Sequence, residues 1–120
     1  MTTSTYIYSI DEIKRLLIPI FEERGINKAI LFGSYAKGEA DESSDVDILA
    51  QVDDDMDIFY LASTSGLVED ALEKKIDFLY GGDVFSEDIE NAIYKEGVVL
   101  YEKNGFTDNR KSQVLLFRNK

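Results

Sequence analysis

Cysteine and histidine are both missing from this sequence of 120 residues. Without cysteine the chain can form neither disulfides nor thiolate metal sites. Without histidine it cannot build a Ser-His triad, a histidine-ligated zinc site or an imidazole base. Any chemistry must therefore depend on carboxylates, hydroxyls, lysine, tyrosine or a bound metal ion.

Basic residues are scarce, since 13 lysines and arginines stand against 24 acids and leave a net charge of −11. Such an acidic surface repels phosphate backbones, so we expect no direct binding to DNA or RNA. No apolar run approaches the roughly 18 residues that a membrane span needs, and the N-terminus has no basic segment leading into an apolar one. We therefore expect a cytoplasmic protein without a membrane partner.

The length and the hydrophobic pattern predict one α/β domain, in which helices flank a small mixed β-sheet. We place this domain at residues 1–102 and treat residues 103–120 as a C-terminal tail. The tail carries five of the basic residues and one apolar patch, Val114 to Phe117. This composition suggests that the tail docks on the domain or on a partner.

Three helices are predicted. The first runs from about Ile10 to Arg24, because Ser9 and Glu12 have the spacing of a capping box, and Pro19 is expected to kink or break it. Another begins near Ser86 and ends at Gly97. The helix between them, from about Met56 to Lys74, has these residues available for its inner face: Phe59, Ala62, Leu67, Ala71 and Leu72.

Short apolar runs predict four strands, at Lys28 to Phe32, Val46 to Val52, Lys75 to Tyr80 and Val98 to Tyr101. The first strand ends in Gly33 and Ser34, where a turn into a helix start exposes backbone N–H groups that can cradle a phosphate. Taken alone, this pair is more often an ordinary turn.

Two aspartates at the start of the second strand suggest a metal site. Asp45 and Asp47 are two residues apart, so on a strand both carboxylates point to one face. Carboxylates this close repel each other and resist ionisation unless a cation lies between them, and Mg²⁺ favours such oxygen ligands. The alternative is the solvated outer face of an edge strand.

The third strand carries Asp77 among apolar neighbours, where a lone carboxylate in a central strand is costly unless it is paired or metal-bound. If this strand lies beside the second, Asp77 can join Asp45 and Asp47; otherwise it is an edge residue bonded to a backbone amide. Gly-Ser followed after ten residues by Asp-x-Asp is expected by chance in about one chain per thousand of this length.

The segments from Leu31 to Gly38 and from Ser44 to Ile48 resemble the signature of the DNA polymerase β-type nucleotidyltransferase superfamily. From about Ile10 to Tyr101 the chain is similar to its smallest members, the minimal nucleotidyltransferase (MNT) proteins, which pair with HEPN proteins in prokaryotic toxin–antitoxin systems. The resemblance implies the nucleotidyltransferase fold, ATP as donor, a tyrosine hydroxyl of a HEPN toxin as acceptor, and a hetero-oligomer of the two proteins.

The same resemblance implies a role for each site residue. Gly33 and Ser34 would hold the triphosphate of the nucleotide. Asp45 and Asp47 would bind two Mg²⁺ ions, while Asp77 would ligate one of them and help to activate the attacking hydroxyl. With no histidine in the chain, Asp77 or solvent must accept the proton.

Lys37 departs from the pattern, because members commonly have arginine there. Lysine keeps the charge but lacks the bidentate fork. Lys37 is therefore either a nucleotide-binding residue or a solvated helix end.

Two other functions stay compatible with the sequence. The chain could neutralise its partner by occlusion alone, without chemistry. It could also modify a small molecule, as the aminoglycoside-modifying members of the superfamily do, although 120 residues leave no room for the additional acceptor domain of those enzymes.

Overall fold

The structure, a computed structural model, describes residues 5–80, 91, 93 and 95–106. Its elements are α1 (Ile10–Arg24), β1 (Lys28–Phe32), α2 (Gly33–Lys37), β2 (Val46–Gln51), α3 (Ile58–Leu72), β3 (Ile76–Tyr80) and β4 (Val98–Glu102). They form a mixed sheet with flanking helices, which confirms the predicted fold class. The predicted start of a helix at Ser86 lies outside the described residues, although Ile93, Lys95 and Glu96 are helical.

α1 has the predicted bounds, and hydrogen bonds at its N-terminus explain where it begins. The Ser9 N–H donates to Glu12 Oε1 at 2.8 Å, and the Glu12 N–H donates to Ser9 Oγ at 3.1 Å, so the capping box is complete. The helix continues through Pro19, so the predicted break is wrong. Pro19 is exposed, while Leu17 and Phe21 on either side are fully buried, and this packing maintains the helix.

The predicted inner face of α3 is largely wrong. Phe59 is 82% exposed, Leu67 is 43% exposed and Ala62 is also exposed. Leu72 is fully buried and Ala71 packs against the core, both as predicted. Arg24 fixes the rotation of α3, because it donates to Thr64 Oγ1 at 3.0 Å and its guanidinium lies 3.7 Å from the centre of the Tyr60 ring. The buried face of α3 consists of Leu61, Thr64, Val68 and Leu72.

This orientation of α3 leads to a stability prediction. Leu72→Ala should lower the free energy of unfolding by about 2–5 kcal/mol, because it leaves a cavity in the core. Leu67→Ala should cost at most about 1 kcal/mol, because much of that side chain already contacts solvent. Urea unfolding of both variants measures the difference. Equal losses would place Leu67 in the core and contradict the observed face.

The sheet has the strand order β3-β2-β1-β4. β1 is antiparallel to β2 and β4, whereas β2 and β3 are parallel and are connected through α3, as a parallel pair requires. β3 therefore lies beside β2, which is the arrangement that Asp77 needs. Within the described residues β3 is also the edge of the sheet, so Asp77 has both the neighbouring strand and the edge position that the sequence left open as alternatives.

A hydrophobic core lies on each face of the sheet. The main core includes Val46 and Ile48 and is covered by α1 and α3. Since side chains alternate along a strand, Asp47 lies on the opposite face, which it shares with Leu49. A smaller core covers part of that face, and its buried members are Ile30, Leu49 and Ile93.

The helices are all short compared with a membrane span. Among those of residues 5–80, 91, 93 and 95–106, none is both long enough and apolar enough to cross a bilayer.

Candidate active site

Asp47 and Asp77 occupy partner positions across the parallel strands β2 and β3. Their carboxyl groups interact directly, and the charge of Asp45 also acts on Asp47. Asp45 comes two residues before Asp47 and is partly buried. The fold therefore brings Asp47 and Asp77 together on the face of the sheet away from α1 and α3, and it leaves Asp45 close enough for its charge to act on Asp47.

The pKa of Asp47 is raised to about 6 from its usual value near 4. Burial is the largest cause, followed by the negative charge of Asp77, a hydrogen bond in which protonated Asp47 donates to Asp77, and the charge of Asp45. Asp47 thus keeps a proton up to about pH 6, well above the range in which an exposed aspartate loses it. A cation that replaced this proton would relieve the same repulsion.

This raised pKa predicts a pH-dependent stability. Because the folded state binds the Asp47 proton more tightly than the unfolded state, its stabilising contribution is complete below about pH 4 and is lost as the pH rises through about 6. Asp47→Asn should therefore match the parent protein in acid and become the more stable of the two above neutral pH. Urea unfolding of both proteins from pH 4 to pH 8, without divalent cations, measures this. A stability difference independent of pH would contradict it.

Gly33 contacts Asp47 so closely that no side chain fits between them. A β-carbon built on Gly33 would overlap Asp47 Oδ2 and lie 3.1 Å from Asp47 Cγ. Gly33 also has a φ of +73°, a backbone conformation that other residues rarely adopt. Since Gly33 is the first residue of α2, the start of that helix lies directly against the Asp47 carboxylate.

Ser34 and Lys37, the other two predicted nucleotide-binding residues, follow on α2. Ser34 is partly buried immediately after Gly33. Lys37, in the last turn, is half-exposed and its Nζ lies 3.4 Å from Glu96 Oε2. The structure thus pairs Lys37 with Glu96, a contact that the sequence did not predict because the two residues are distant in the chain.

A hydrogen-bonded turn that sequence reasoning missed leads into β2. Asp41 Oδ1 accepts hydrogen bonds from the Ser43 N–H at 2.9 Å and from Ser43 Oγ at 2.8 Å. The Asp41 N–H donates to Ser44 Oγ at 2.9 Å. An aspartate followed closely by serines is typical of such turns, so the signal was present. The turn fixes the backbone just before Asp45.

The carboxylates at this site suit Mg²⁺ better than a metal ion that needs protein ligands on all sides. In the part of the chain that the structure describes, no group of three or more acidic side chains is arranged to hold a metal ion by itself. Mg²⁺ keeps several waters and is held by one or two carboxylates together with substrate phosphates. The adjacent Asp47 and Asp77, with a proton between them that a cation can replace, fit that requirement.

The profile of the family described as "Polymerase beta, Nucleotidyltransferase" matches residues 15–105. The chain belongs to this family. A protein of Methanocaldococcus jannaschii, provisionally named a protein adenylyltransferase, is 39% identical over 71 residues, which cover 59% of this chain and 76% of that protein.

Two solved structures share the fold. One is a chain from a toxin–antitoxin crystal structure with AMP-PNP, with a TM-score of 0.67 and 18% identity over 88% of this chain and 87% of that chain. The other comes from a complex of tri-AMPylated Shewanella oneidensis HEPN toxin with MNT antitoxin. It has a TM-score of 0.62 and 15% identity over 91% of this chain and 82% of that chain.

These comparisons confirm that the protein is a nucleotidyltransferase that resembles the minimal members of the superfamily. The family match includes the Gly33 turn, all three aspartates and Lys37. It ends just after β4.

Proposed function

We propose that this nucleotidyltransferase uses Mg²⁺ to transfer AMP from ATP to a tyrosine hydroxyl of a cognate HEPN toxin, and so acts as the antitoxin in the cytoplasm. The observation that carries the proposal is the meeting of Asp47, Asp77 and the Gly33 backbone at one point on the sheet. A phosphate-binding turn and a carboxylate pair must adjoin in this way if a nucleotide and a metal ion are to share a site.

Asp45, Asp47 and Asp77 are the residues that would hold Mg²⁺, with two ions expected. When bound, Mg²⁺ would polarise the phosphoryl oxygens, lower the pKa of the attacking hydroxyl and neutralise the leaving pyrophosphate. Asp47 contributes most to recognition of the cation, because it is the partly buried carboxylate with the raised pKa.

The triphosphate would lie along the start of α2. Gly33 has no side chain, so a phosphate can approach the backbone N–H groups there beside Asp47. Ser34 adds a hydroxyl donor. Lys37 adds positive charge at the other end of α2, where binding of a phosphate would compete with its contact to Glu96.

In the reaction, the tyrosine oxygen forms a bond to the α-phosphorus while the bond from that phosphorus to the bridging oxygen of the β-phosphate breaks. Pyrophosphate leaves with the bonding electrons. The phenolic proton passes to Asp77 or to solvent, and Asp77 can accept it because it is exposed at the sheet edge. The protein supplies position and charge and forms no covalent intermediate.

A protein acceptor fits the chain better than a nucleic acid. The net charge of −11 opposes a polyanionic substrate. The M. jannaschii relative is named a protein adenylyltransferase. A similar fold occurs in the S. oneidensis complex that contains an AMPylated HEPN toxin. We therefore assign the HEPN partner as acceptor and expect a hetero-oligomer.

The test uses the purified chain, Mg²⁺, ATP and a cognate HEPN protein. Label on the α-phosphate of ATP should appear on the HEPN protein, whereas label on the γ-phosphate should not. Replacing the acceptor tyrosine by phenylalanine should abolish labelling. An Asp45→Asn/Asp47→Asn double variant should neither label nor neutralise the toxin.

Two results would refute the proposal. One is the absence of α-phosphate label on the HEPN protein; the other is full neutralisation of the toxin by the double variant without ATP. The second result would indicate an antitoxin that acts by occlusion.

A further inference from the structure

α3 exposes an apolar surface on the side that faces away from the sheet. Phe59 is 82% exposed, Ile58 is 59% exposed and Leu67 is 43% exposed, and Ala62 and Gly66 between them are also exposed. Phe59, Ala62 and Gly66 are spaced three and four residues apart and Leu67 adjoins Gly66, so they line one side of the helix, which also carries the exposed polar residues Ser63 and Asp70. We call Ile58, Phe59, Ala62, Gly66 and Leu67 the α3 stripe.

Gly66 is an unusual residue for the middle of this stripe. Glycine weakens a helix interior, and a β-carbon at position 66 would meet nothing within 4 Å among the described residues. The described fold therefore gives no reason for glycine there. A glycine does allow another segment to pack closely against the helix backbone.

The N-terminal end of the stripe is strongly acidic. Asp53, Asp54, Asp55 and Asp57 immediately precede it, and all four are exposed. A segment that covers the stripe should therefore combine apolar residues with flanking positive charge.

One segment of the chain has this composition. Residues 107–120 contain the apolar run Val114 to Phe117, with Arg110 and Lys111 before it and Arg118 and Lys120 after it. The segment therefore contains four basic residues and one acidic residue, Asp108, whereas the whole protein has a net charge of −11. The segment also lies beyond the family match, which ends at residue 105.

The described chain ends close to the acidic end of the stripe. The Phe106 N–H donates to the Lys103 carbonyl at 3.0 Å, and the Lys103 N–H donates to the Asn27 carbonyl at 2.7 Å. Asn27 Nδ2 in turn donates to Asp53 Oδ1 at 2.9 Å. Phe106 is therefore connected through Lys103 and Asn27 to the loop that precedes α3.

The distance to be covered is short. The helix rises about 1.5 Å per residue, so the stripe is only about 15 Å long. An extended chain covers about 3.3 Å per residue, so the residues between Phe106 and Val114 are ample to reach it.

We propose that residues 107–120 dock on the α3 stripe of the same chain. Val114 to Phe117 cover Phe59 and Leu67, and the flanking arginines and lysines lie beside the acidic residues before α3. The C-terminal tail thus shields an apolar face of α3 from solvent within the same chain.

The absence of tryptophan from the chain permits a direct test on the full-length protein. Phe59→Trp places a single tryptophan on the stripe. Its emission should lie at a shorter wavelength, and be less sensitive to quenching by iodide, than in the same protein with Val114 to Phe117 replaced by four serines. Arg110→Glu/Lys111→Glu should shift the emission in the same direction as the serine tail.

A matched control places the tryptophan at Leu16, a 36%-exposed residue of α1, where the tail changes should have no effect. Far-ultraviolet circular dichroism verifies that each variant is folded. The proposal is overturned if the indole of the Phe59→Trp protein is equally exposed with both tails. It is also overturned if the blue shift disappears on dilution, which would indicate a second copy as occupant, or if it appears only when the HEPN protein is added.

Discussion

Asp47→Asn should abolish nucleotidyl transfer and, at the same time, stabilise the metal-free protein above neutral pH. The loss of activity follows from the loss of a carboxylate that would hold Mg²⁺. Metal ions contribute several kcal/mol of charge stabilisation in such reactions, so we expect a decrease in kcat/KM of at least about 10³-fold. The gain in stability follows from removal of a carboxylate whose ionisation Asp77 and Asp45 oppose.

The opposite signs of the two effects distinguish this prediction from simple unfolding. Asp70→Asn is the matched control, because it removes one exposed negative charge in the last turn of α3. It should leave activity and stability nearly unchanged. Mg²⁺ should raise the melting temperature of the parent protein and of Asp70→Asn, but not that of Asp47→Asn, because a ligand stabilises only the state that binds it. An active or Mg²⁺-stabilised Asp47→Asn protein would contradict the assignment.

Gly33→Ala should be nearly inactive although it adds a single methyl group. The new β-carbon would overlap Asp47 Oδ2, so the carboxylate or the α2 turn must move. A displacement of about 1 Å at a reacting site can cost about 10²-fold in rate, and we expect a loss of at least that size in kcat/KM. The positive φ of residue 33 adds about 1–2 kcal/mol of backbone strain.

Gly25→Ala distinguishes the effect of contact with Asp47 from the effect of backbone strain. Gly25 ends α1 with a φ of +74°, almost the same as that of Gly33, and a β-carbon there would meet nothing within 4 Å. This control should lose similar stability through strain while keeping its activity. Assays of kcat/KM and urea unfolding on both variants provide the comparison. Equal activity of Gly33→Ala and Gly25→Ala would show that contact with Asp47 is unimportant.

The strands were the most predictable part of the fold. The run from Lys28 to Phe32 is apolar and ends at a glycine, and β1 has those bounds. Alternation within β2 correctly placed Val46 and Ile48 in the main core, which leaves Asp47 on the other face. Local chemistry was sufficient here because strand periodicity and a glycine turn are encoded in adjacent residues.

Contacts between distant segments were harder to predict. Apolar residues occur all around α3, so periodicity did not decide whether Phe59 or Leu61 would be buried; the contact of Arg24 with Thr64 decided it. Strand order is likewise a long-range property, which is why the sequence left open whether Asp77 lies beside β2 or at a sheet edge. The close approach of Gly33 to Asp47 also requires coordinates, although the motif indicated both residues.

The crossover from β2 through α3 to β3 also determines when the site can exist during folding. A nascent polypeptide that has emerged only as far as Leu72 already contains Gly33 and Asp47 but lacks β3, the strand that places Asp77 beside Asp47. The carboxylate pair forms only after α3 has folded back and the non-local parallel ladder has closed, which is a slow kind of step. During refolding, an effect of divalent ions on the protein should therefore appear only late, after β2 and β3 have paired.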